Sequence, residues 1–236
     1  MSKKMELNQF VELSAAVLRS LPREMDVDTA QEWIENQAAL AKVLREALVP
    51  QDAASATNWH SEWTRFYSEV FGLAVDLSRV VIPDELPGFG WVVMVADGLV
   101  LNRVWAKCKE MFPSYSYLGD DLDEAVPTND RTAEVAYAKR FRDRVEADEE
   151  LKNLSANQLK KKRVQSITLL ERLLLELWYF WKTGGKHLDV QNFTLCAGSR
   201  NSVGSVPDVD WSIDKLKVFY YNPDNHYDNL RTRAAV

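Results

Sequence analysis

The chain has few of the residues on which catalytic and metal sites usually depend. It contains three histidines, His60, His187 and His226, and two cysteines, Cys108 and Cys196. The H-E-x-x-H, C-x-x-C, G-x-S-x-G and P-loop patterns are all absent from the sequence. The sequence therefore predicts no metal site and no cofactor. Two cysteines in different contexts predict reduced, buried thiols and no disulfide framework.

Long hydrophobic runs and a positive net charge are also missing. The most apolar window, residues 167–181, is interrupted by charged side chains and is shorter than the roughly 20 residues that cross a membrane. No apolar segment of a secretory signal follows the first residues. The net charge of −6 disfavours general nucleic-acid binding, and the basic run at residues 159–163 favours a solvated junction. We expect a cytoplasmic protein that binds neither membranes nor nucleic acids.

The first third of the chain is helical in pattern. Apolar residues recur at helical spacing over residues 7–21, a second helix starts at a plausible cap, Asp28, and residues 59–77 are predicted to form a third. Two prolines and two glycines at residues 80–90 mark a domain boundary. We therefore predict a helical module over residues 1–86, and this module is the candidate surface for forming a homo-oligomer.

After this boundary the pattern becomes mixed. Residues 167–182 read as an apolar helix, capped by Thr168 and Glu171 and closed by two glycines, which predicts the central buried helix. A charged amphipathic helix is expected over residues 130–151. Helices first and short strands with long structured loops afterwards predict an α+β protein, with a second domain over residues 87–236. Further strands are expected at residues 91–97, 114–118, 190–195, 216–221 and 230–236, and a further helix at residues 101–112.

Three isolated features have a structural interpretation that we favour over a functional one. The acidic run at residues 119–125 lacks the glycine and glutamate spacing of an EF-hand, so an exposed loop leading to a helix is favoured. Cys196 lies between Leu195 and Ala197, which predicts a buried, inert strand thiol. His187 follows a Gly-Gly-Lys turn, where a cap on the preceding helix is favoured over catalysis.

The C-terminal stretch "YYNPDNHYDNLRTR", residues 220–233, is too polar for a core strand and too aromatic for a disordered tail. Arg200, Arg231 and Arg233 lie among aspartates in this part of the chain. Guanidinium groups that bridge carboxylates are predicted to hold the long loops in place. The carboxylates in question are those of Asp208, Asp210, Asp214, Asp224 and Asp228.

Three segments together resemble a known family: "ITLLERLLLELWYFWKTGGKHLDVQNFTLCAGSRNS", "VPDVDW" and "NPDNHYDNLRTR". Over residues 89–236 the chain is similar to the variable proteins of diversity-generating retroelements. In this family a reverse transcriptase copies a template repeat with errors at adenines, and the copy replaces the 3′ end of the gene. The resemblance implies a C-type-lectin-like domain, related to the formylglycine-generating-enzyme fold, with a variable region at about residues 199–233.

The residue types of that region agree with such a mechanism. Errors at the adenines of AAC and AAT codons convert Asn to Asp, His, Tyr, Ser, Ile, Val, Phe and a few others, but never to Trp or Lys. Trp211, Lys215 and Lys217 are therefore expected to be fixed, and Trp211, Leu216, Val218, Leu230, Arg231 and Arg233 to be buried or paired. The residues predicted to be exposed, variable and ligand-binding are Asn201, Val203, Ser205, Asp208, Asp210, Ser212, Ile213, Phe219, Tyr220, Tyr221, His226 and Tyr227.

Two motifs of related folds are missing from this chain, and their absence disfavours the functions that depend on them. "NPDN" is not the motif pair with which C-type lectins bind sugars through Ca²⁺, and the paired catalytic cysteines of formylglycine-generating enzymes have no counterpart. The resemblance thus implies a non-catalytic protein whose variable surface binds a protein or another macromolecule. Two alternatives stay open: an enzyme on the same fold that uses Cys196 or His187, and a phage-related assembly protein in which the helical module does the work.

Overall fold

The computed structural model describes residues 7–22, 24–48 and 58–236. These residues form eight α-helices and nine β-strands, which confirms the α+β class. The chain divides into two compact units, Met1–Thr57 and Asn58–Val236.

The described residues of the smaller unit form helices α1 (Leu7–Ser20), α2 (Val27–Glu35) and α3 (Gln37–Leu48). The sequence predicted one helix after Asp28 where the structure has α2 and α3. The first of them starts at Asp26, whose Oδ1 accepts a hydrogen bond of 2.9 Å from Thr29 N. Asn36 then leaves the helical conformation, and its Oδ1 accepts a bond of 3.1 Å from Ala39 N. The single-helix prediction was wrong because Asn is unfavourable inside a helix and is among the best residues for capping the start of a new one.

Helix α4 (Trp59–Phe71) belongs to the larger unit, although the sequence assigned it to the N-terminal module. Trp63 is fully buried, and its Nε1 donates a hydrogen bond of 2.8 Å to Val92 O in strand β1 (Trp91–Val95). The predicted boundary between residues 86 and 87 therefore lies inside a compact unit. The reason is that the aromatic side chains of α4 form part of that unit's core.

The structure contradicts two predictions about the remaining elements. The helix expected over residues 130–151 is instead strand β4 and irregular chain, and β7 lies where a loop was expected. Strand β4 pairs antiparallel with β1, and such long-range pairing overrides a local helical pattern. The elements are α5 (Leu101–Met111), β2 (Ser114–Ser116), α6 (Leu122–Ala125), β3 (Thr128–Asn129), β4 (Tyr137–Phe141), a 3₁₀ turn (Glu149–Leu151), α7 (Ala156–Lys161), α8 (Leu169–Thr183), β5 (Phe193–Leu195), β6 (Ser199–Arg200), β7 (Val206–Ser212), β8 (Lys215–Tyr221) and β9 (Leu230–Arg231).

The C-terminal half of the larger unit is built around a five-stranded mixed sheet. Its strand order is β2-β8-β7-β5-β9, with β7 and β8 forming an antiparallel hairpin in the register Val209↔Val218. Val209, Leu216, Val218 and the half-buried Trp211 share one apolar core with helix α8. Because successive residues of a strand point to opposite faces, their neighbours in β7 and β8 point away from this core. We call that side the outer face of the sheet.

Helix α8 is the central buried helix that the sequence predicts. Every residue from Leu169 to Tyr179 is buried, including the charged ones. Thr168 and Glu171 form the predicted capping box, and Gly184 ends the helix at φ +69°. In the described part of the chain, no helix has the combination of length and apolarity that spanning a bilayer requires.

A buried ionic network connects α8 to the C-terminal segment. Asp189 accepts a hydrogen bond of 2.9 Å from Arg172 Nε and lies 2.8 Å from Arg233 Nη2. Arg172 also donates to Glu176 at 2.8 Å, and Thr194 Oγ1 donates to Asp189. All these side chains are almost completely inaccessible to solvent. Two guanidinium groups are thus held in the core by two carboxylates, one of which bridges both.

The same network holds irregular chain in place. Asp189 Oδ1 accepts a hydrogen bond of 2.8 Å from Ala147 N, and Asp189 itself has a positive φ of +51°. Arg233 donates to the carbonyl oxygens of Arg144 and Val145 at 2.8 and 2.7 Å. A segment without regular structure thereby has its buried polar groups satisfied by the network.

We predict that Asp189→Asn lowers the free energy of unfolding by about 3–5 kcal/mol, because it leaves a buried guanidinium without its charge partner. Asn has the same size and tolerates a positive φ, so the change tests the charge. Asp214→Asn is the matched control: it is exposed, has a φ of +53°, and should change stability by less than about 0.5 kcal/mol. Chemical denaturation measures both values, and equal losses would contradict the assignment.

Candidate ligand-binding surface

Two neighbouring strands at one edge of the sheet, β2 and β8, carry aromatic side chains on the outer face. In β8, Phe219 and Tyr221 alternate with the buried Leu216 and Val218 and therefore lie on the outer face. Strand β2 runs parallel to β8 and places Tyr115 on the same side. The parallel pairing continues one step further, because the backbone N–H of the next tyrosine, Tyr117, donates to Val218 O at 2.9 Å.

Six aromatic rings form a continuous, solvent-facing patch. Each ring contacts at least one other member, with centroid distances between 4.9 and 5.6 Å. Four of the rings are exposed, with Tyr117 at 54% of its surface and Tyr220 at 38%, and the remaining two are half-buried. We call this set the aromatic patch: Tyr115, Tyr117, Phe219, Tyr220, Tyr221 and Tyr227.

Tyr220 resolves a conflict within the sequence-based expectations. Strand alternation placed it inward with Leu216 and Val218, whereas codon chemistry placed it at the surface. Its ring is exposed and stacks on Phe219, with an interplanar angle of 12°. The apolar core beneath β8 includes Val218 and not Tyr220, so the inward side of the strand is already open to solvent at this position.

A cavity of about 520 Å³ opens beside the patch. Tyr117 and Tyr220 line one side of it, and the loop of Asn201 and Val203 lines another. Asn201 was expected to be exposed, but only 7% of its surface is accessible. Its Oδ1 accepts bonds of 3.1 and 2.7 Å from Val203 N and Ser205 N, so the side chain shapes its own loop. The acidic residues of the lining are Asp120, Asp121 and Glu124.

Two carboxylates that were predicted to be exposed lie buried on the outer face. Asp208 is 2% exposed and lies opposite Phe219, and Asp210 is 5% exposed and lies opposite Lys217. Each has one carboxylate oxygen without a hydrogen-bond partner. Burial raises the pKa of Asp208 well above its ordinary value, and the neighbouring Asp210 raises it further. Burial also raises the pKa of Asp210, against opposing effects of Ser212 and Lys217. The prediction that these two side chains are exposed was wrong, because strand β7 lies inside the sheet, between β8 and β5.

The turn between β7 and β8 places two more candidates at the opposite end of the hairpin from Tyr220 and Tyr221. Ile213 and Asp214 both have a φ of +53°, which makes this a tight two-residue hairpin turn. Ile213 is 80% exposed, and Ser212 beside it is half-buried. Because β7 and β8 are seven-residue strands, the turn lies about 20 Å from the end that carries Tyr221. The twelve predicted residues therefore do not all converge on one surface.

The loop between β8 and β9 is held against helix α7 and the turn before it. Asn157 Nδ2 donates to Asp224 Oδ1 at 2.6 Å, and His226 Nδ1 lies 2.8 Å from Asn153 Oδ1. His226 remains exposed, and so does Tyr227, whose ring lies against the aromatic patch. The patch and its rim thus unite seven of the predicted residues in all: Val203, Ser205, Phe219, Tyr220, Tyr221, His226 and Tyr227.

The scaffold residues are buried or paired as predicted, but the arginines have other partners than expected. Arg231 pairs with Glu149 at 2.6 Å and Arg233 with Asp189, while Arg200 donates only to the carbonyl oxygens of Ala197 and Ser199. None of the five aspartates of the C-terminal region is an ion-pair partner of these arginines within the described residues. Partners so distant in the chain leave no local signal in the sequence.

The two residues of the enzyme alternative have structural contacts. Cys196 is completely buried, and burial raises the pKa of its thiol well above the ordinary value, so the reactive thiolate is disfavoured. His187 Nδ1 lies 2.8 Å from the buried Glu176 Oε1, and its ring stacks on Trp211 at a centroid distance of 3.3 Å. His187 therefore joins the last turns of α8 to the sheet and does not act as a simple cap.

Sequence reasoning missed the part of the surface that precedes α6. Tyr115 and Tyr117 were interpreted only as part of a short strand, and the acidic run at residues 119–125 only as a loop. In the structure Asp121 caps α6, and Asp123 accepts hydrogen bonds from the first backbone N–H groups of α5. The alternation in "SYSY" was the available signal, since it places both tyrosines on the same side of a strand.

We predict that Asp208→Asn makes stability less dependent on pH. The raised pKa means that the folded state holds the Asp208 proton more tightly than the unfolded chain. Its stabilising contribution is complete below the ordinary Asp pKa of about 3.9 and is lost as pH rises through the folded-state pKa. The variant should exceed the parent by about 1–3 kcal/mol at pH 8 and converge with it toward pH 4. Asp228→Asn, at an exposed site, should show no such trend in denaturation curves.

We also predict that Ile213→Asn raises the free energy of unfolding by about 1 kcal/mol, because a β-branched residue is strained at positive φ and Asn is not. Val203→Asn is the matched control, since Val203 is 81% exposed, also β-branched, and has no positive φ. It should change stability by less than about 0.5 kcal/mol. Thermal denaturation of the two variants measures the difference, and equal shifts would refute the strain.

The arrangement is suited to contact with a ligand. Tyrosine hydroxyls can donate and accept hydrogen bonds around an apolar surface, and the adjoining cavity adds carboxylates at its rim. Among the described residues, no group of three or more histidine, cysteine or acidic side chains is placed to hold a metal ion. Comparison of the chain with protein-family models, with curated proteins and with solved structures finds no match.

Proposed function

We propose that this protein is a non-catalytic binding protein that contacts a macromolecular ligand, most simply another protein, through the aromatic patch and the cavity beside it. In this proposal the larger unit is a C-type-lectin-like domain. Its C-terminal surface is the variable region of a diversity-generating retroelement. The observation that carries the proposal is a contiguous set of six aromatic rings, four exposed and two half-buried, on a surface that is held from behind by buried side chains.

The composition of the patch supports binding. Tyrosine gives a large and rigid contact area at a low cost in conformational entropy, and it dominates antibody binding sites for that reason. Aromatic side chains are also enriched in the centres of protein interfaces. Contiguous exposed apolar surface on a soluble domain marks an interaction site more often than chance placement does. The short polar side chains of Ser205 and His226 beside the rings add adaptable hydrogen-bonding groups.

The separation between variable and fixed positions supports diversification. In strand β8, Phe219, Tyr220 and Tyr221 face solvent at least partly, while Leu216 and Val218 are fully buried one to five residues away. A buried position tolerates few side chains, because volume changes and unpaired polar groups each cost about 1–3 kcal/mol. A strand with this arrangement can change its outer side chains while its core contacts stay constant.

The strained turn supports the proposed codon mechanism. A two-residue hairpin turn with both residues at positive φ favours Asn at its first position, and here that position holds Ile213. A single adenine change converts AAC or AAT to an Ile codon. In this proposal, Ile213 arose by mutation of an Asn codon, at a position whose backbone conformation favours Asn and disfavours Ile.

The genetic test is the sequence of the gene's own locus. We expect a neighbouring reverse-transcriptase gene and a template repeat that matches the codons of about residues 199–233, with adenines at the variable positions. Sister copies should differ at Val203, Tyr220 and Tyr221 and agree at Trp211 and Arg233. A locus without such a repeat, or sister copies that vary equally at the buried positions, would refute the retroelement part of the proposal.

The binding test is a display library in which the codons of the aromatic patch and Val203 take all adenine-substituted forms of AAC. We expect folded variants that bind an arbitrary folded protein such as streptavidin. A library of equal size at the exposed loop residues Val81, Val135 and Val190 is the control and should yield fewer binders. At Val218 the same codon set should leave only the variants with an apolar side chain folded. Equal yields from the patch and the loop library would contradict the binding surface.

A further inference from the structure

A second, smaller cavity lies between helix α7 and the short β3–β6 pair. Its volume is about 220 Å³, and no residue of the aromatic patch lines it. Ala156, Leu159 and Val164 give it an apolar floor. Hydrogen-bond donors come from four further lining residues, Arg200, Lys160, Ser166 and Thr128, and Asp130 adds a carboxylate.

Arg200 differs from the other partly or fully buried arginines in having no ion-pair partner among the residues that the structure describes. Arg131, Arg142 and Arg233 each lie within 3 Å of a carboxylate oxygen. Only Nη1 of Arg200 is engaged, by the carbonyl oxygens of Ala197 and Ser199 at 2.8 and 2.7 Å. Burial lowers the pKa of Arg200, which reflects the cost of keeping a guanidinium away from water. Its Nε and Nη2 groups make no hydrogen bond with any described residue.

The other donors of the cavity are unengaged as well. Ser166 is 2% exposed, and its Oγ has no hydrogen-bond partner. Lys160 makes no ion pair with any residue that the structure describes. Thr128 lies directly opposite Arg200 in the β3–β6 register and so adds a hydroxyl next to the guanidinium. Unpaired buried donors cost stability, and a bound acceptor group would remove that cost.

We propose that this cavity binds a phosphate group, carried by a small molecule or present as the free ion. Arg200 and Lys160 bring two positive charges to the same cavity, and Ser166 and Thr128 add hydroxyl donors. A phosphate group carries more negative charge and more acceptor oxygens than a carboxylate, so it matches this set of donors more completely. The free edge of a guanidinium matches two phosphate oxygens, and a lysine adds a second positive charge.

Asp130 provides an internal test of this assignment. Its side chain also lines the cavity, and its charge raises the pKa of Arg200, although it lies beyond ion-pair distance of that residue. A phosphate in the cavity would be repelled by Asp130 and attracted by Arg200 and Lys160. Removing the carboxylate should therefore strengthen phosphate binding, which is the opposite of what its loss would do if Asp130 were needed as a ligand.

The experiment is calorimetric titration of the full-length chain with inorganic phosphate, glycerol 3-phosphate and acetate at constant ionic strength. We expect both phosphates to bind and acetate to bind at least tenfold more weakly. Tighter binding of glycerol 3-phosphate than of inorganic phosphate identifies a phosphomonoester as the ligand, and the reverse order identifies the free ion. Absence of phosphate binding, or equal binding of acetate, overturns the proposal.

Single-residue variants test whether the anion binds in this cavity. Arg200→Gln should weaken phosphate binding about tenfold or more, Lys160→Gln should weaken it by a smaller factor, and Asp130→Asn should strengthen it. Lys161→Gln is the matched control, since this residue follows Lys160 in α7 and does not line the cavity. Should Arg200→Gln fail to fold, the opposite effects of Lys160→Gln and Asp130→Asn still decide the question. Equal losses from Lys160→Gln and Lys161→Gln would indicate only general attraction to a basic surface and refute the site.

Discussion

The larger unit depends on one buried carboxylate, that of Asp189. A guanidinium group is stable in an apolar core only when a carboxylate balances its charge and acceptor atoms bind its N–H groups. Asp189 is the carboxylate partner of two such groups, Arg172 of helix α8 and Arg233 near the C-terminus. It also accepts from Thr194 of β5 and from Ala147 N. Four segments that are distant in sequence are therefore fixed around a single side chain. Their geometry is set without long regular strands, since β5 and β9 have only three and two residues.

Because buried contacts hold the backbone of the sheet in place, the side chains on its outer face can vary. Strand β8 is held in register by its inward residues Leu216 and Val218 and by its antiparallel partner β7. On its outward side, Phe219 and Tyr221 are only half-buried. A surface that accepts many side chains needs a backbone that does not rely on them. Buried polar contacts thus fix the loops, while the rings of the aromatic patch stay at or near the surface.

The parts of this structure that could be predicted from the sequence are those determined locally. Helix α8 shows its cap at Thr168, its apolar length and its terminal Gly184 within about twenty consecutive residues, and all of these were read correctly. The strand at Tyr137–Phe141 was read as a helix because only its partner β1, more than forty residues earlier, makes it a strand. Burial of Asp208 and Asp210 was missed for the same reason, since aspartate in a loop-like segment gives no sign of the rings and strands that cover it.

Three of the twelve residues predicted to bind the ligand are unfavourable where the structure places them, and each for a reason that Asn would remove. Ile213 occupies a turn position at positive φ where Asn is favoured. Asp208 and Asp210 are buried side by side with raised pKa values and unpaired oxygens, where an uncharged amide of the same size would avoid the cost of burying a charge. All three would be better placed as Asn, and Ile and Asp each arise from AAC or AAT by one adenine change. Selection for stability alone would remove such residues, whereas a mechanism that repeatedly rewrites Asn codons would leave them wherever the fold can bear the loss.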